Sequence, residues 1–455
     1  MMISAALIVA IIVALLCSWA AYHKLKRPYL HILTWYLAFH WLVFVIRPVV
    51  TYSFGWHGQI DYMLFSPSAD DVSWTSIAST LFLVIFTASY ISFAPKSIQI
   101  KLHPLTSKAM QAFYIVFVLL MPLTLYSTVR MFSVDYTQEN TTAQIFGVDD
   151  TMEDALLHTG QTAYITMAYN FLVPLAILLI IVRRFDWISL AFVALVAGTR
   201  LFLGWERWGL IVLVFAICIS YATTSTTKLR LGRILVVLLP VVATFAFLSE
   251  NRDFLKEAVG MQPASYASTP EGRSLEGIAR WVDGPDLAGF DFATYIVAKV
   301  PKETRTYSYF LQHLELFTRP IPRVLWSGKP VGPPVPFFNL SDYGNFRGRS
   351  PTIVGDGWMS AGFFGVAVNA TVYGLLFGWL GRLVNAKNNI YWSIFHVFLL
   401  ALAFQFFRDG DILSLLRFGL WMFVPIVFWR WTALLLTHQR PRLPSKMMTS
   451  GRALS

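Results

Sequence analysis

Long apolar runs alternate with short polar connections along most of the chain. Eleven runs have the length, roughly 17 to 25 residues, that a helix needs to cross the hydrocarbon core of a bilayer. They cover residues 3–22, 31–50, 74–94, 109–129, 160–182, 186–203, 208–223, 234–249, 358–381, 391–407 and 412–436. The first run is too long for the core of a signal peptide, so we expect a retained helix. The pattern predicts an all-α, polytopic membrane protein with about 11 transmembrane helices.

One long segment, residues 250–357, breaks this pattern between the eighth and ninth predicted spans. It mixes Arg, Asp, Pro and Gly with aromatic residues in a way that a lipid-exposed helix does not tolerate. We expect a partly helical loop at one membrane face, which carries the candidate active site. The chain then divides into spans 1–8 (1–249), this loop (250–357), spans 9–11 (358–437) and a basic tail (438–455).

Basic residues follow every second predicted span, from the first to the eleventh. The positive-inside rule places these connections in the cytoplasm. The amino terminus is therefore expected outside and the tail inside, which requires an odd number of spans. The alternate connections, with their acidic residues and arginines, are expected at the outer face.

The composition agrees with this interpretation. Hydrophobic residues make up 56%, charged residues 13%, and the formal net charge is +11. Basic turns between spans explain that charge better than a nucleic-acid partner does. Neither Cys17 nor Cys218 has metal-ligand spacing, and the sequence contains no phosphate-binding loop, HExxH motif or Cys/His cluster. We therefore expect no metal and no cofactor.

Several arginines lie at or near the ends of predicted spans. Arg47 ends the second span, where it either snorkels to the interface or faces the bundle interior and binds an anion. Arg200 and Arg207 bracket a short outer turn in which Glu206 can neutralise only one of them. Arg417, inside the eleventh span, needs a buried anionic partner, either a carboxylate such as Asp409 or a ligand phosphate.

The long loop interleaves arginines and acidic residues with Pro, Trp and Tyr. Solvated surface pairs on a small extracellular subdomain are one interpretation. The other is diphosphate binding, because arginines on restricted backbone, as in RPIPRVLWSGKP, can present their planar fork to phosphate oxygens. The candidates for binding diphosphate or glycan are Arg47, Arg200, Arg280, Arg305, Arg319, Arg323, Lys329 and Arg408.

Three residues are candidates for acid–base chemistry. Asp356 lies between two glycines where the loop enters the ninth predicted span, so it either caps a helix or acts as a base. His313 is the one histidine of the loop and is either a satisfied interface residue or a base. Asp291 is the third candidate.

Two stretches carry a resemblance to a known family. At IPRVLWSGKP, followed by SPTIVGDGWMSAGFFGV and a span, the chain resembles the bacterial O-antigen polymerase (Wzy-type) family. The RP that ends the second span, GTR at 198–200 and FRDGD at 407–411 are also similar to features of that family. The acidic position is often Glu in relatives and is Asp356 here.

The resemblance implies a metal-independent glycosyltransferase with the C-type membrane fold in the bacterial inner membrane. Such an enzyme polymerises oligosaccharide repeat units on undecaprenyl diphosphate at the periplasmic face, for O-antigen, capsule or exopolysaccharide. Its donor and acceptor are both lipid-linked glycans, and a chain-length regulator and a flippase are further candidate partners. Preorganised arginines would stabilise the departing diphosphate.

Three other functions remain open from the sequence. An O-antigen ligase shares the architecture and the donor, but the surroundings of His313 differ from those expected for a ligase. A transporter or flippase of lipid-linked oligosaccharide would need polar residues near the middle of the membrane, and the predicted spans are mostly apolar there. A non-catalytic assembly protein would tolerate single arginine substitutions in its loop.

Overall fold

The computed structural model describes the chain in segments. These are residues 5–55, 58–132, 167–203, 207–224, 283–284, 286–318, 321, 325–326, 335, 337–346, 349–410 and 412–438. The regular elements within these segments are helices, and one isolated bridge joins Lys26 to Ser97. The fold is all-α.

Thirteen α-helices are numbered here in chain order over the described residues. They are α1 (Ala5–Lys24), α2 (Ile32–Phe54, with a π-helical stretch at Trp41–Ile46), α3 (Gly58–Tyr62), α4 (Ala69–Phe93), α5 (Ser107–Phe132), α6 (Leu172–Val182), α7 (Trp187–Leu203), α8 (Arg207–Thr224), α9 (Gly289–Lys299), α10 (Glu315–Thr318), α11 (Thr352–Lys387), α12 (Ile390–Asp409) and α13 (Ile412–His438). Short 3₁₀ helices cover Pro28–Leu30, Met167–Phe171, Leu311–Leu314 and Leu340–Tyr343.

Seven of the described helices are long and apolar enough to cross a membrane. They are α1, α2, α4, α5, α11, α12 and the Gly419–Thr437 part of α13. Three shorter apolar helices cover Met167–Val182, Trp187–Arg200 and Trp208–Thr224. The chain is thus a multi-pass membrane protein, and these helices coincide with ten of the eleven predicted spans. The remaining one, 234–249, lies outside the described residues.

Local sequence determines where several helices begin and end. The Ser68 hydroxyl accepts a hydrogen bond from the Asp71 backbone N–H, and the Asp71 carboxylate accepts one from the Ser68 N–H. This capping box starts α4. Between α11 and α12, Asn388 adopts a left-handed conformation and the Asn389 side chain accepts from the Trp392 N–H. These two asparagines allow a very short turn between two spans.

Three of the connections predicted as basic and cytoplasmic meet at one end of the bundle. The Lys26 N–H donates to the Lys96 carbonyl at 2.7 Å, which joins the connections after α1 and α4. The Gln99 N–H donates to Asn385 Oδ1 at 2.8 Å, which adds the end of α11. The end that carries most of the acidic residues is the opposite one, where Lys302 pairs with Asp71. This grouping is what the alternation of charge predicted.

Part of the predicted outer loop, the helix α9, lies inside the bundle rather than outside it. Residues 289–298 of α9 are all buried. A Cβ at Gly289 would come within 2.8 Å of both Thr352 Cγ2 and Val43 Cγ1, so glycine allows α9 to pack tightly between α2 and α11. The expectation of a small solvated subdomain is therefore wrong for this part of the loop.

Helix α11 contains a sharp reversal that the sequence did not predict. Ala361 and Gly362 leave helical geometry, with Gly362 at φ +59°. The Asn369 side chain donates to Asp356 at 2.9 Å although 13 residues separate them, a separation of about 20 Å in a straight helix. Residues 352–360, called the short arm below, thus fold back against residues 363–387. The ninth span begins after this reversal and not at residue 358.

Candidate functional site

Asp356 is buried on the short arm and contacts polar side chains from two other segments. The Gln312 amide donates to Asp356 Oδ1 at 3.2 Å, and the Asn369 amide donates to Oδ2 at 2.9 Å. His313 Nε2 lies 3.3 Å from the same Oδ2. The structure therefore brings together Asp356 and His313, two of the three predicted acid–base candidates.

Backbone contacts hold His313 at this position. The Ser308 N–H donates to the Met359 carbonyl at 2.8 Å, and the Tyr309 N–H donates to the Ser360 carbonyl at 3.0 Å. These bonds attach the segment that leads to His313 directly to the reversal in α11. The reversal and the Asp356–His313 pair thus form one unit.

Helix capping, the first interpretation of Asp356, is wrong. The helix begins after Pro351, and the hydroxyl of Thr352 accepts from the Gly355 N–H in the first turn. Asp356 comes one turn later with only 1% of its surface exposed. The buried Asp356 carboxylate does not cap the helix but contacts the side chains of Gln312, Asn369 and His313.

The exposure of the two residues suggests how they divide acid–base work. The His313 side chain is 21% exposed, whereas the carboxylate beneath it is buried. A ring proton on Nε2 would donate to Asp356. In this arrangement the carboxylate orients the imidazole.

Arg47 is fully buried and binds two acids of the long loop. Its Nη2 lies 2.9 Å from Asp283 Oδ1 and 2.7 Å from Asp291 Oδ2, and its Nε donates to Asp291 Oδ2 at 3.2 Å. The side chain faces the bundle interior, so the snorkelling interpretation is wrong. These ion pairs attach the start of the long loop to α2.

Two carboxylates share one guanidinium in this cluster, which leaves a surplus of negative charge. Burial raises the pKa of the Asp283 carboxyl, while the Arg47 charge acts in the opposite direction. Sequence reasoning named Arg47 and Asp291 separately and missed Asp283. The sequence could have indicated such a partner, because an arginine inside a helix bundle requires an anionic group beside it.

Arg200 is buried near the C-terminal end of α7. Its Nη2 donates to the Tyr169 carbonyl at 3.2 Å and to Asn170 Oδ1 at 3.0 Å. Its guanidinium also lies over the Tyr169 ring, 4.6 Å from the centroid. Gly209 of α8 provides the space beside it, since a Cβ there would lie 3.6 Å from Arg200 Cζ.

Arg408 lies in the last turn of α12 and stacks on an aromatic ring of α8. Its Cζ is 4.7 Å from the centroid of the Trp208 ring. Its nitrogens lie 3.6 Å from carboxylate oxygens of Asp286 and of Asp409. These distances exceed those of hydrogen-bonded ion pairs, so the carboxylates attract the guanidinium but do not bind it closely.

A partly open cleft lies between the helices that carry these two arginines. Its cavity volume is about 20 Å³, the space of about one water molecule. Its lining residues are Asn170, Val173, Trp208, Gly209, Val212, Leu402, Gln405, Trp421 and Met422. Asn170 and Gly209 contact Arg200, and Trp208 contacts Arg408. Both predicted anion-binding arginines therefore contact residues that line this cleft, although neither is itself a lining residue.

The arginine end of α12 also adjoins the short arm. Gly410 has φ +87°, and a Cβ there would overlap the carbonyl group of Thr352. Thr352 lies one helical turn before Asp356. The backbone at Arg408 is therefore roughly 10–15 Å from that at Asp356, by the rise of 1.5 Å per helical residue.

The other predicted binding residues are not part of this arrangement. Arg305 is exposed, and no ion pair joins it to a described residue. Arg280, Arg319, Arg323 and Lys329 lie outside the described residues, as does the side chain of Arg417. In the described part of the chain, no three His, Cys, Asp or Glu side chains come close enough together to hold a metal ion.

Comparison with known proteins assigns neither a family nor a function to the chain. No protein-family model, no curated protein and no solved structure matches the chain. What the site can do follows from its own residues: an imidazole oriented by a buried carboxylate, and two guanidinium groups that contact the lining of one apolar cleft.

Proposed function

We propose that the protein is a metal-independent membrane glycosyltransferase that polymerises lipid-diphosphate-linked oligosaccharide repeat units at the outer face of the bacterial inner membrane. The observation that carries the proposal is that Arg200 and Arg408 each contact a residue that lines one apolar cleft. Cationic groups beside apolar helix surfaces suit the anionic head and the hydrocarbon tail of an amphiphile.

The chemistry of the cleft supports a polyprenyl diphosphate as this amphiphile. The cleft residues Trp421, Leu402 and Val212 are apolar, as residues in contact with an isoprenoid chain would be, but a cleft of about 20 Å³ does not itself enclose such a chain. The guanidinium groups beside the cleft can each donate two hydrogen bonds to phosphate oxygens without a metal ion. The family resemblance of the sequence supports undecaprenyl diphosphate as the carrier.

The proposed reaction is a glycosyl transfer between two lipid-linked glycans. A hydroxyl oxygen of the acceptor attacks the anomeric carbon of the donor glycan. The bond from that carbon to the diphosphate oxygen breaks, and the diphosphate leaves with the bonding electrons. Arg200 and Arg408 stabilise the charge that develops there.

His313 accepts the proton that the acceptor hydroxyl loses, and Asp356 holds the imidazole in position. General base catalysis of this kind typically contributes about 10²–10⁴-fold to the rate. The buried Asp291, which is ion-paired with Arg47, is assigned no step.

The experiment uses purified protein in liposomes with lipid-linked repeat units extracted from a host strain that lacks it. We expect elongated glycan from the wild type and little product from Arg200→Gln or Arg408→Gln. Arg382→Gln is the matched control, because Arg382 lies over Phe93 at the opposite end of the bundle. Its product should equal that of the wild type.

Two outcomes would contradict the proposal. One is movement of labelled lipid across the bilayer with no elongation, as a transporter would give. The other is transfer of glycan to lipid A core while repeat units stay single, as a ligase would give. Wild-type elongation by both arginine variants would show that the cleft takes no part in the reaction.

A further inference from the structure

The carboxylate of Asp356 is held on both oxygens by amide side chains from two different elements. Gln312, in the 3₁₀ helix Leu311–Leu314, donates to Oδ1 at 3.2 Å. Asn369, in the part of α11 that follows the reversal, donates to Oδ2 at 2.9 Å. Asn369 is only 5% exposed. Burying a polar side chain in a membrane span is costly, and the bond to the carboxylate offsets that cost.

The directions of the hydrogen bonds around Asp356 follow from the atoms present. The Ser360 hydroxyl donates its one proton to the Asp356 carbonyl at 2.9 Å. The hydroxyl oxygen is then an acceptor for the Gln312 amide 2.7 Å away, and only the NH₂ group of that amide can donate to it. The same NH₂ group faces Asp356 Oδ1. Gln312 is thus fixed as a donor to the carboxylate.

The two amides together set the rotation of the carboxylate. The last side-chain torsion of an aspartate has a broad energy profile, so the surroundings decide its angle. A donor on each oxygen defines two points of the carboxylate plane. Oδ2, which Asn369 holds, is also the oxygen that lies 3.3 Å from His313 Nε2. The Asn369 amide therefore acts on the atom that orients the imidazole.

Asn369 reaches Asp356 because the two halves of α11 touch each other. A Cβ at Gly357 would lie 2.8 Å from Val366 Cα, and a Cβ at Gly365 would overlap the Gly357 carbonyl oxygen. Glycine at both positions permits this close approach of backbone to backbone. The reversal thereby brings a residue of the membrane span to a carboxylate 13 positions before it.

Other contacts also fasten the reversal. The Ser308 N–H donates to the Met359 carbonyl at 2.8 Å. The Tyr309 N–H donates to the Ser360 carbonyl at 3.0 Å. Removing the Asn369 amide leaves both bonds and the glycine contact in place. Its loss should therefore disturb the angle of the carboxylate more than it disturbs the fold.

We propose that Asn369 is a positioning residue for the glycosyl transfer. Its amide sets the angle of the Asp356 carboxylate and, through that carboxylate, the orientation of His313. The inference rests on the proposed function and adds a residue of the membrane span to the site. In this role Asn369 contacts neither substrate, so its removal lowers the rate of the bound complex and leaves binding unchanged.

The test measures glycan elongation by the full-length protein in liposomes, with lipid-linked repeat units as substrate. Asn369→Leu keeps a similar volume but removes the amide, and we expect kcat to fall by about tenfold or more with KM unchanged. Asn385→Leu is the matched control. It removes an amide at the opposite end of α11, which accepts from the Gln99 N–H and donates to the Ser97 carbonyl. Its kcat should equal that of the wild type.

A double-mutant cycle separates positioning from a purely structural role. Asp356→Asn removes the charge through which Asn369 acts, so adding Asn369→Leu to it should lower kcat by less than about twofold. Losses that multiply would indicate independent structural damage. Asn369→Ala, which leaves space in place of a branched apolar chain, answers the same question if the leucine variant fails to fold.

A loss of kcat in the Asn369 variants that disappears in the Asp356→Asn background supports the inference. Wild-type kcat in the folded Asn369 variants, or losses that multiply in the cycle, would overturn it while the proposed function stands. Absence of elongation by the wild type would refute the proposed function and this inference with it.

Discussion

Replacing Arg47 by Met tests the role assigned to the buried ion pairs. Methionine fills a similar elongated space but removes the only positive charge near Asp283 and Asp291 in the described structure. Removing one partner of a buried ion pair typically costs about 3–5 kcal/mol, because the remaining charge has neither water nor a counter-ion. We expect a loss of this size in the free energy of unfolding at neutral pH.

The pH dependence of this loss has a definite sign. Burial raises the pKa of Asp283 in the folded state, and removing Arg47 raises it further because the opposing charge is lost. A carboxyl with a raised folded pKa stabilises the folded state at low pH, and that contribution disappears as the pH rises through the folded pKa. The loss should therefore be small near pH 4 and largest at neutral pH and above.

Denaturant unfolding in detergent, followed by tryptophan fluorescence between pH 4 and 8, measures both effects. Lys302→Met is the control, because Lys302 is 59% exposed in its pair with Asp71 and should contribute only about 0–1 kcal/mol. A loss below about 1 kcal/mol for Arg47→Met, or a loss that does not vary with pH, would refute the reasoning.

Three further predictions concern the candidate site. Gly365→Ala should lower the free energy of unfolding by about 1–3 kcal/mol, because its Cβ would overlap the backbone of the short arm. Gly198→Ala, whose Cβ would meet no atom within 4 Å, should be neutral or stabilising in the same denaturant-unfolding assay. Asp356→Asn should lower kcat for glycan elongation by about 10²-fold or more with little change in KM, since the imidazole loses its orienting charge; unchanged kcat would contradict this role. Trp208→Leu should raise the KM for lipid-linked donor about 2- to 30-fold, the value of a cation–π contact of about 0.5–2 kcal/mol with Arg408; an unchanged KM would exclude that contact from binding.

The features that the sequence predicted correctly are those that depend on short stretches of the chain. A span needs only enough consecutive apolar residues, so ten of the eleven predicted spans coincide with apolar helices. The alternation of basic connections predicted which of them share an end of the bundle. His313 is a candidate as the one histidine of the long loop, and Asp356 is a candidate because it lies between two glycines where the loop enters the ninth predicted span.

Which of the candidate residues contact each other depended on the tertiary structure. Asp283 and Asp291 lie 236 and 244 residues from Arg47, and no local pattern connects such positions. The reversal at Gly362 could not be predicted from the sequence either. Glycines in an apolar run are compatible with a straight span and with a broken one. Only packing decided that the short arm folds back.

The sequence by itself determined that the chain crosses a membrane many times, because the bilayer imposes one requirement on every segment alike. It also determined which residues are costly to place there. The tertiary structure decided which charges meet: Arg47 joins the start of the long loop, Asp356 joins His313, and Arg200 and Arg408 contact the lining of one cleft. The physical reason is that a buried charge is stabilised by whichever group the fold places within a few ångströms of it, and that group need not be near in sequence.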